Sequence, residues 1–576
     1  MTKHLITIAL PYSNGDLHIG HLLEAVEGDV FARRQKQRAK PDDETLFVCA
    51  DDQHGSAITI RAEKEGISPE ELIGRLRAAH VQDFNGFHVE FDHYHATHSE
   101  ENRALCELVY GRLKDAGLIY KAPVTQLFDE SAGVFLADRL VKGGCPSCQA
   151  PDQHGDNCEK CGAIYGALEL LNPVSQVSGV APQPRVSDHV FFKLSDPEVQ
   201  SFCRAWAAEP GRLAPEARNK LAEWLESDLR DWDISRDGPY FGFEIPGETN
   251  KFFYVWVDAP LGYLASATAL LASQGRPKAI GDIVDPSSDW QITHVIGKDI
   301  LYFHALFWPA LLRFSGFRTP SSIKTHGFLT FEGRKLSKSK GTLIGARQYL
   351  EAGLDPEWLR FYFFSKINGG SQDVDFSPSD FINRVDSDLV GKYANIASRL
   401  SPFFSGSLDS VVSVDCSGHP LVRYALSLEQ DIDDAFDELD FAKACRLIFS
   451  IADEANKLIS EAKPWLLAKD PALLGELARV ACAGLCAFEC ITRHLSPAIP
   501  AIARAAFAFL NTVDDGRAPS TAIEPGRKIS AFAPLATRVD KLSLAGLLPR
   551  QSSTPPCRGS VGPVGPLAPS SEALYD

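Results

Sequence analysis

The sequence has a single methionine, Met1, in 576 residues. With no internal thioether it offers nothing there to oxidise to the sulfoxide. Avoidance of oxidative damage, or synthesis when that amino acid is scarce, are two readings of the bias. An uninterrupted apolar run of membrane-spanning length is also missing, and residues 1–10 carry neither a secretory h-region nor its cleavage site, so a cytoplasmic chain is expected. Positive charge is in deficit: 58 Lys and Arg stand against 75 Asp and Glu, a net charge of −17. That excludes indiscriminate nucleic-acid binding but leaves room for a structured RNA held on a local basic face. Without an export signal, the thirteen cysteines do not read as a disulfide framework.

What is present is ordinary in bulk. Hydrophobic residues make up 44% and charged residues 23%, as in soluble globular proteins. The length exceeds one core, so about three or four domains are expected. Four cysteines stand apart, in the pairs Cys145-Pro146-Ser147-Cys148 and Cys158-Glu159-Lys160-Cys161. Two C-x2-C knuckles across a short polar loop let four thiolates meet at one tetrahedral zinc ion, a closed and therefore structural site. Gly143, Gly144, Gly155 and Gly162, with no evident apolar core, point to folding supported by the metal. His154, between the pairs, reads as a surface residue. Cys482, Cys486 and Cys490 recur at helical spacing and read as small core residues on one helix face.

Two short signatures carry the chemistry. The first follows the apolar run Leu5 to Leu10 and reads Pro11-Tyr12-Ser13-Asn14-Gly15-Asp16-Leu17-His18-Ile19-Gly20-His21. A β-rich run, a turn rich in Asn, Gly and Asp, and then Leu22-Leu23-Glu24 predict strand, tight loop and helix. His18, Gly20 and His21 then lie at a helix N-terminus, where free N–H groups and the dipole favour phosphate. Gly20 leaves room for a base or ribose to approach the backbone. Taken alone, His-x-x-His fits a polar helix start equally well, and a metal site is a third reading. The second signature, Lys335-Leu336-Ser337-Lys338-Ser339-Lys340-Gly341, is a basic loop suited to following charge onto a leaving pyrophosphate. An isolated lysine run is more often a solvated turn.

Along the chain, strand-like and helix-like segments alternate through residues 1–117, including Leu46 to Ala50 running into Asp51-Asp52 at a strand's carboxyl end, where doubly wound sheets bind ligands. Residues 118–234 read as an insertion. A second α/β stretch follows, with Phe252 to Val257 and Thr293 to Ile296 as strands. From about Ser379 long amphipathic helices take over, one of them marked by Phe441, Cys445, Ile448, Ala452, Ala455 and Ile459 and ended by Pro464. From Gln551 the chain is rich in Ser, Pro and Gly and is expected to be disordered.

These features, with the strings Ala50-Asp51-Asp52-Gln53-His54-Gly55, Trp232-Asp233-Ile234-Ser235-Arg236-Asp237, Tyr254 to Pro260, Gly297 to Ile300 and Phe307-Trp308-Pro309, resemble the class I aminoacyl-tRNA synthetases. Within them the chain is most similar to the bacterial methionyl-tRNA synthetases of the zinc-containing type, from about residue 3 to 545. The resemblance implies an α/β, Rossmann-like doubly wound parallel sheet, split by a zinc-knuckle connective insertion and followed by an all-α anticodon-binding bundle. Its divisions are catalytic halves at 1–117 and 235–325, the insertion at 118–234, the lysine signature and linker at 326–387, the helical domain at 388–545 and a tail at 546–576.

The resemblance also implies roles. His18, His21, Lys335 and Lys338 are catalytic. Gly20, Glu24, Gly297, Asp299, Ser337 and Lys338 hold ATP, which arrives with Mg²⁺. Ala9, Leu10, Tyr12, Asp52, Trp256, Ala259, Pro260, Tyr263, Ile300, His304 and Trp308 form the methionine pocket, with Asp52 for the ammonium and His304 and Trp308 on one helix face. Asn395, Arg399 and Trp465 read the anticodon of tRNA(Met), and Cys145, Cys148, Cys158 and Cys161 hold one zinc ion.

Three departures stand out. Leu336 replaces the family's usual Met, Ala39 to Thr45 is a few residues longer than expected, and the C-terminal dimerisation domain of some relatives is missing, which suggests a monomer. Rival readings are a synthetase for another apolar amino acid, a paralogue forming an adenylate for a non-tRNA acceptor, and an inactive RNA-binding protein on the same scaffold. The intact histidines and lysines speak against the last. On this reading Lys338→Ala should depress adenylate formation and spare methionine binding; unchanged pyrophosphate exchange in that variant would refute the role.

Overall fold

A computed structural model describes residues 2–137, 140–155, 157–158, 160–163, 165–226, 229–336, 342–513 and 523–547. At its centre five parallel strands are formed by β1 (Lys3–Ile8), β2 (Glu44–Asp51), β3 (His93–Ala96), β4 (Trp290–Gly297) and β5 (Ser322–His326), in the order β5-β4-β1-β2-β3. The chain winds outward from β1 on one side and returns to build the other side from β4, so the strand order reverses between β1 and β4. The sheet expected from the alternation is therefore present, split as anticipated.

Side-chain parity explains why the sheet is buried on both faces. Ile6, Ile8, Phe47, Cys49 and Val295 point toward helix α1 (Ile19–Arg38) and share a core with its Leu22, Leu23 and Val26. Leu5, Leu46, Val48, Ile292 and Ile296 point the other way and pack with Val109, Leu264 and Leu271, from the helices Glu100–Asp115 and Leu261–Ser273. Strands covered on two faces read as continuous apolar runs.

The intervening chain builds a four-stranded sheet in the order Trp232–Asp233, Gln183–Phe192, Ile119–Asp129, Val134–Phe135, and a three-stranded one with Val141–Gly144 between Gln153–His154 and Leu171–Ser175. Contrary to the sequence reading, the knuckle does have an apolar core: Leu127, Leu136, Val141, Tyr165 and Leu170 pack around Cys145 and Cys158. The strand expected at Phe252 to Val257 is shorter. Only Lys251–Phe253 is extended, paired with Ser235–Asp237 outside the central sheet, and Val255–Asp258 is a fully buried helical turn. Tertiary packing on all sides of that turn overrides the β preference of its residues.

The C-terminal part is helical, as expected, and Phe441–Ala462 buries the six positions that marked its periodicity. The helix Leu474–Leu495 keeps the reading of its three cysteines as core residues. With the turn before it, the segment Pro471–Leu495 is long and apolar enough to cross a membrane, yet it lies at the centre of the bundle with Cys482, Cys486 and Cys490 buried. Among the described residues no cysteine is in a disulfide.

Arg360, fully buried, fastens the bundle to the sheet. Its guanidinium donates to Asp29 Oδ2 at 2.7 Å, Pro497 O at 2.8 Å, Ala498 O at 2.9 Å, and Phe87 O and His88 O at 3.2 Å. Burial works to raise the Asp29 pKa, but Arg360 and Arg33 outweigh it and hold the carboxyl below its ordinary value. Arg360→Met should cost about 3 kcal/mol or more, because the carbonyls of Phe87, Pro497 and Ala498 lose this donor and Asp29 loses one of its two arginines, keeping Arg33; urea denaturation measures it, and a loss under about 1 kcal/mol would show the clasp to be unimportant. Since the folded pKa of Asp29 is depressed, its contribution is present above its unfolded value of about 3.9 and is lost as pH falls through the folded one.

Candidate active site

The loop after β1 crosses to α1 by backbone bonds to the end of β2: Ser13 N–H donates to Asp52 O at 2.7 Å, and Asp52 N–H to Pro11 O at 2.9 Å. At the start of α1, His18 is the N-cap. Its Nδ1 accepts from Gly20 N–H at 3.0 Å and His21 N–H at 3.4 Å, and His21 Nδ1 accepts from His18 N–H at 3.2 Å. The rings stack with centroids 3.7 Å apart at 17°. Burial pulls the His18 pKa down to about 4, and burial, then the neighbouring His18 and His80, pull His21 well below its usual value. A neutral imidazole that accepts at Nδ1 carries its proton on Nε2. Both histidines are thus neutral donors held at a helix N-terminus, and the pair serves as cap and donor together.

Gly20 has a reason beyond the one read from sequence. A Cβ there would lie 2.8 Å from two atoms of the His18 ring and 3.5 Å from Leu336 Cδ1. The second contact joins the two signatures. Their convergence is fixed by backbone: Ile19 N–H donates to Ile344 O at 3.0 Å, Ala346 N–H to Leu17 O at 2.8 Å, and His18 bridges Gly345. Lys335 is exposed at the end of a hairpin formed by Leu329–Phe331 and Arg334–Lys335, facing the same cleft. Ser337 and Lys338, with Ser339, Lys340 and Gly341, lie outside the described residues.

Beyond α1, Glu24 Oε2 accepts from Gly297 N–H and His326 Nε2, each at 3.0 Å. His326 Nδ1 meets Gly327 O at 2.8 Å, so both ring nitrogens donate. Burial lowers the His326 pKa, yet the Glu24 bond and the Glu27 charge overcome it and push it up to about 9. This ion pair under the end of β4 was not foreseen in the sequence; its only signal is a histidine at the end of the polar strand β5. Asp299, raised chiefly by burial, sits 2.5 Å from where a Cβ on Gly297 would lie.

One cleft of about 1560 Å³ runs from these groups to an aromatic pocket. Trp256 stacks on Phe303 at 3.9 Å and 5°. His304, carried on a π-helical turn, accepts from Tyr263 O–H at Nε2, 2.9 Å, and donates from Nδ1 to Ile300 O, 3.1 Å; burial lowers its pKa to about 4. Ala9, Leu10, Tyr12, Asp52, Ala259 and Pro260 line the same cleft, as read from sequence. Trp308 does not line it. It stands behind, donating at 3.0 Å to His294, whose ring packs 4.8 Å from Tyr263. Asp51 also turns away, binding buried His80 at 2.8 Å and Tyr94, while Asp52 faces the cleft. Neighbours on a strand point to opposite faces.

Two further clusters lie apart. The four knuckle sulfurs fall within 4.8 Å of one another, with Cys145–Cys161 at 3.8 Å and Cys148–Cys158 at 3.5 Å. A tetrahedron with metal–sulfur bonds of about 2.3 Å has edges of about 3.8 Å, so the residues fit one metal ion. In the bundle, Asn395 and Arg399 both bond Asn456, at 3.4 Å, and Trp465 is 45% exposed in the short helical turn Pro464–Leu467 that follows the helix of Asn456.

A doubly wound sheet with paired histidines at its switch point and a lysine-bearing hairpin on the same cleft is the architecture of a class I aminoacyl-tRNA synthetase. The family described as tRNA synthetases class I (M) matches residues 4–401. The chain is 46% identical over 573 residues to the methionine–tRNA ligase of Nitrosomonas europaea, covering 96% of this chain and 80% of that protein. With the methionine–tRNA ligase of Azoarcus sp. the identity is 47% over 563 residues, covering 95% and 77%. Its fold matches the Mycobacterium tuberculosis methionyl-tRNA synthetase bound by methionyl-adenylate with a TM-score of 0.75, over 93% of this chain and 100% of that one, at 21% identity. The chain belongs to the class I tRNA synthetases of the methionyl type.

Gly20→Ala tests the cap geometry. The added methyl must displace the His18 ring, so adenylate formation should fall by about 100-fold or more, the scale on which a lost transition-state donor acts, while helical content is kept. Activity near that of the parent would show that the His18 position is not critical.

Proposed function

We propose that the chain is a methionine–tRNA ligase that activates methionine with ATP and transfers it to tRNA(Met), initiator and elongator alike. The observation that carries this reading is the meeting of the two signatures at Gly20 and Leu336 beside an aromatic pocket in the same cleft. Methionine presents a polarizable thioether, which favours aromatic walls and a weak polar partner. Trp256, Tyr263, His304 and Ile300 supply these, and Asp52 receives the ammonium. Glu24, Gly297 and Asp299 take the ribose and adenine side of ATP. The methionine carboxylate attacks the α-phosphorus and pyrophosphate leaves. His18 and His21 donate through Nε2 to the phosphate oxygens as charge grows there, and Lys335 and Lys338, with Ser337, follow the pyrophosphate. The terminal ribose 2′-hydroxyl of tRNA then takes the acyl group. No covalent enzyme intermediate is needed, so rate comes from positioning and fixed dipoles.

The four cysteines would hold one structural zinc ion, and magnesium enters with ATP. Asn395, Arg399 and Trp465 would contact the anticodon, Trp465 by stacking on an unpaired base. The divisions read from sequence, with the catalytic sheet split by residues 118–234 and the anticodon domain at 388–545, belong to this reading, as does a monomeric, cytoplasmic enzyme. Homocysteine, lacking only the S-methyl, should be activated too, since one such group is worth about 1–3 kcal/mol in a pocket.

Pyrophosphate exchange with each of the twenty amino acids, followed by charging of initiator and elongator tRNA, tests the proposal. Exchange should be fastest with methionine, and both tRNAs should be charged. Faster exchange with another apolar amino acid would overturn the substrate; adenylate formation without charging of either tRNA would point to a different acceptor.

A further inference from the structure

One buried acid takes no part in the site described above. Glu27, 1% exposed, lies on α1 one turn beyond Glu24, and neither of its carboxyl oxygens bonds any described residue. Residues three apart on a helix share a face, so Glu24 and Glu27 look toward the same strand. That strand is β5, whose alternate residues Lys324 and His326 face α1 while Ile323 packs on the other side of the sheet. Two acids on the helix thus stand opposite two bases on the strand. The outer rung is closed: Glu24 holds His326 and Gly297 N–H, each at 3.0 Å, at the wall of the cleft. The inner rung is open, since Glu27 bonds neither base.

A buried carboxyl that accepts no hydrogen bond keeps its proton more readily than an exposed one. Burial pushes the Glu27 pKa up to about 7, with the His326 charge pulling against it, Glu24 adding to it and Lys324 opposing it. Other charged groups around α1 are committed elsewhere. Asp437 and Glu438, at the end of the helix Glu429–Asp437, act on Lys324. From the helix Pro356–Phe364, Arg360 holds Asp29, and Glu357 accepts from Ile502 N–H. The strand β4 turns Val295 to this face and its one histidine, His294, to Trp308 on the other. Asp299, in the turn after β4, interacts with His326. His326 is acted on by both Glu24 and Glu27, so a proton on Glu27 is felt at the Glu24 clasp although Glu27 does not line the cleft.

We propose that Glu27 is a positioning residue for the nucleotide, one that takes up its proton as ATP binds. The inference rests on the reading of the cleft as an ATP site. ATP is an anion arriving beside Glu24 and His326, so it binds better when Glu27 is neutral, and by reciprocity its arrival draws a proton onto Glu27. Calorimetric titration of the full chain with magnesium–ATP, methionine omitted, in buffers of different ionisation enthalpy reads that proton. A coupling of about fivefold, at the low end for linked sites, gives uptake of about 0.4 proton near pH 7 and about threefold weaker binding at pH 8 than at pH 6. Glu27→Gln, which mimics the neutral form, should lose both effects and bind at pH 8 as the parent does at pH 6. Thermal melting checks its fold: the variant should gain on the parent as pH rises from 6 to 8, where the parent's buried acid ionises. Uptake and pH dependence equal in parent and variant overturn the inference alone, as does binding by the parent that does not weaken between pH 6 and pH 8. Absence of ATP binding by the parent overturns the reading of the cleft and this inference with it.

Discussion

Everything at the candidate site depends on a few backbone hydrogen bonds between Leu17 to Ile19 and Ile344 to Ala346. These segments are far apart in sequence, and Leu17, Ile19, Ile344 and Ala346 are all buried in the main core. Each bond therefore joins groups that water cannot reach, and breaking one leaves a buried donor unmet. Main-chain groups make the join, so it fixes position without calling on any catalytic side chain. Leu336 and Lys335 come to the histidines because the chain following them is stitched to the start of α1.

Charge is distributed with some economy around that join. The two capping histidines are neutral, and the fixed positive group, His326, is already paired with Glu24 under the end of β4. Under the proposed reading, the place where negative charge grows is met by oriented N–H groups, while net positive charge is supplied by the lysine segment. A site built that way need not reorganise when the phosphate charge changes.

Sequence reasoning reached the frame because alternating burial writes itself into apolar runs. Spacing marked out the four knuckle cysteines, which do come together, and the histidine segment at the start of α1. Sequence reasoning failed where a decision depends on which way a neighbour points. Between Asp51 and Asp52 the residues alone did not choose; the resemblance named Asp52, the one that lines the cleft. His304 and Trp308 share a spacing, yet Trp308 serves His294 from behind. Phe252 to Val257 favour a strand by composition, and packing turns the second half into helix. The small core of the knuckle was overlooked because its members, from Leu127 to Leu170, are spread over separate strands and turns. Gly20 also has a role the sequence did not suggest: it spares the His18 ring.

The reciprocal cap has one more consequence. His18 and His21 each close a backbone N–H of the turn that holds the other, so neither ring can swing away while that turn stays wound. Their placement is thereby insured by the helix itself, and local fraying at Ile19 would be felt at both rings at once.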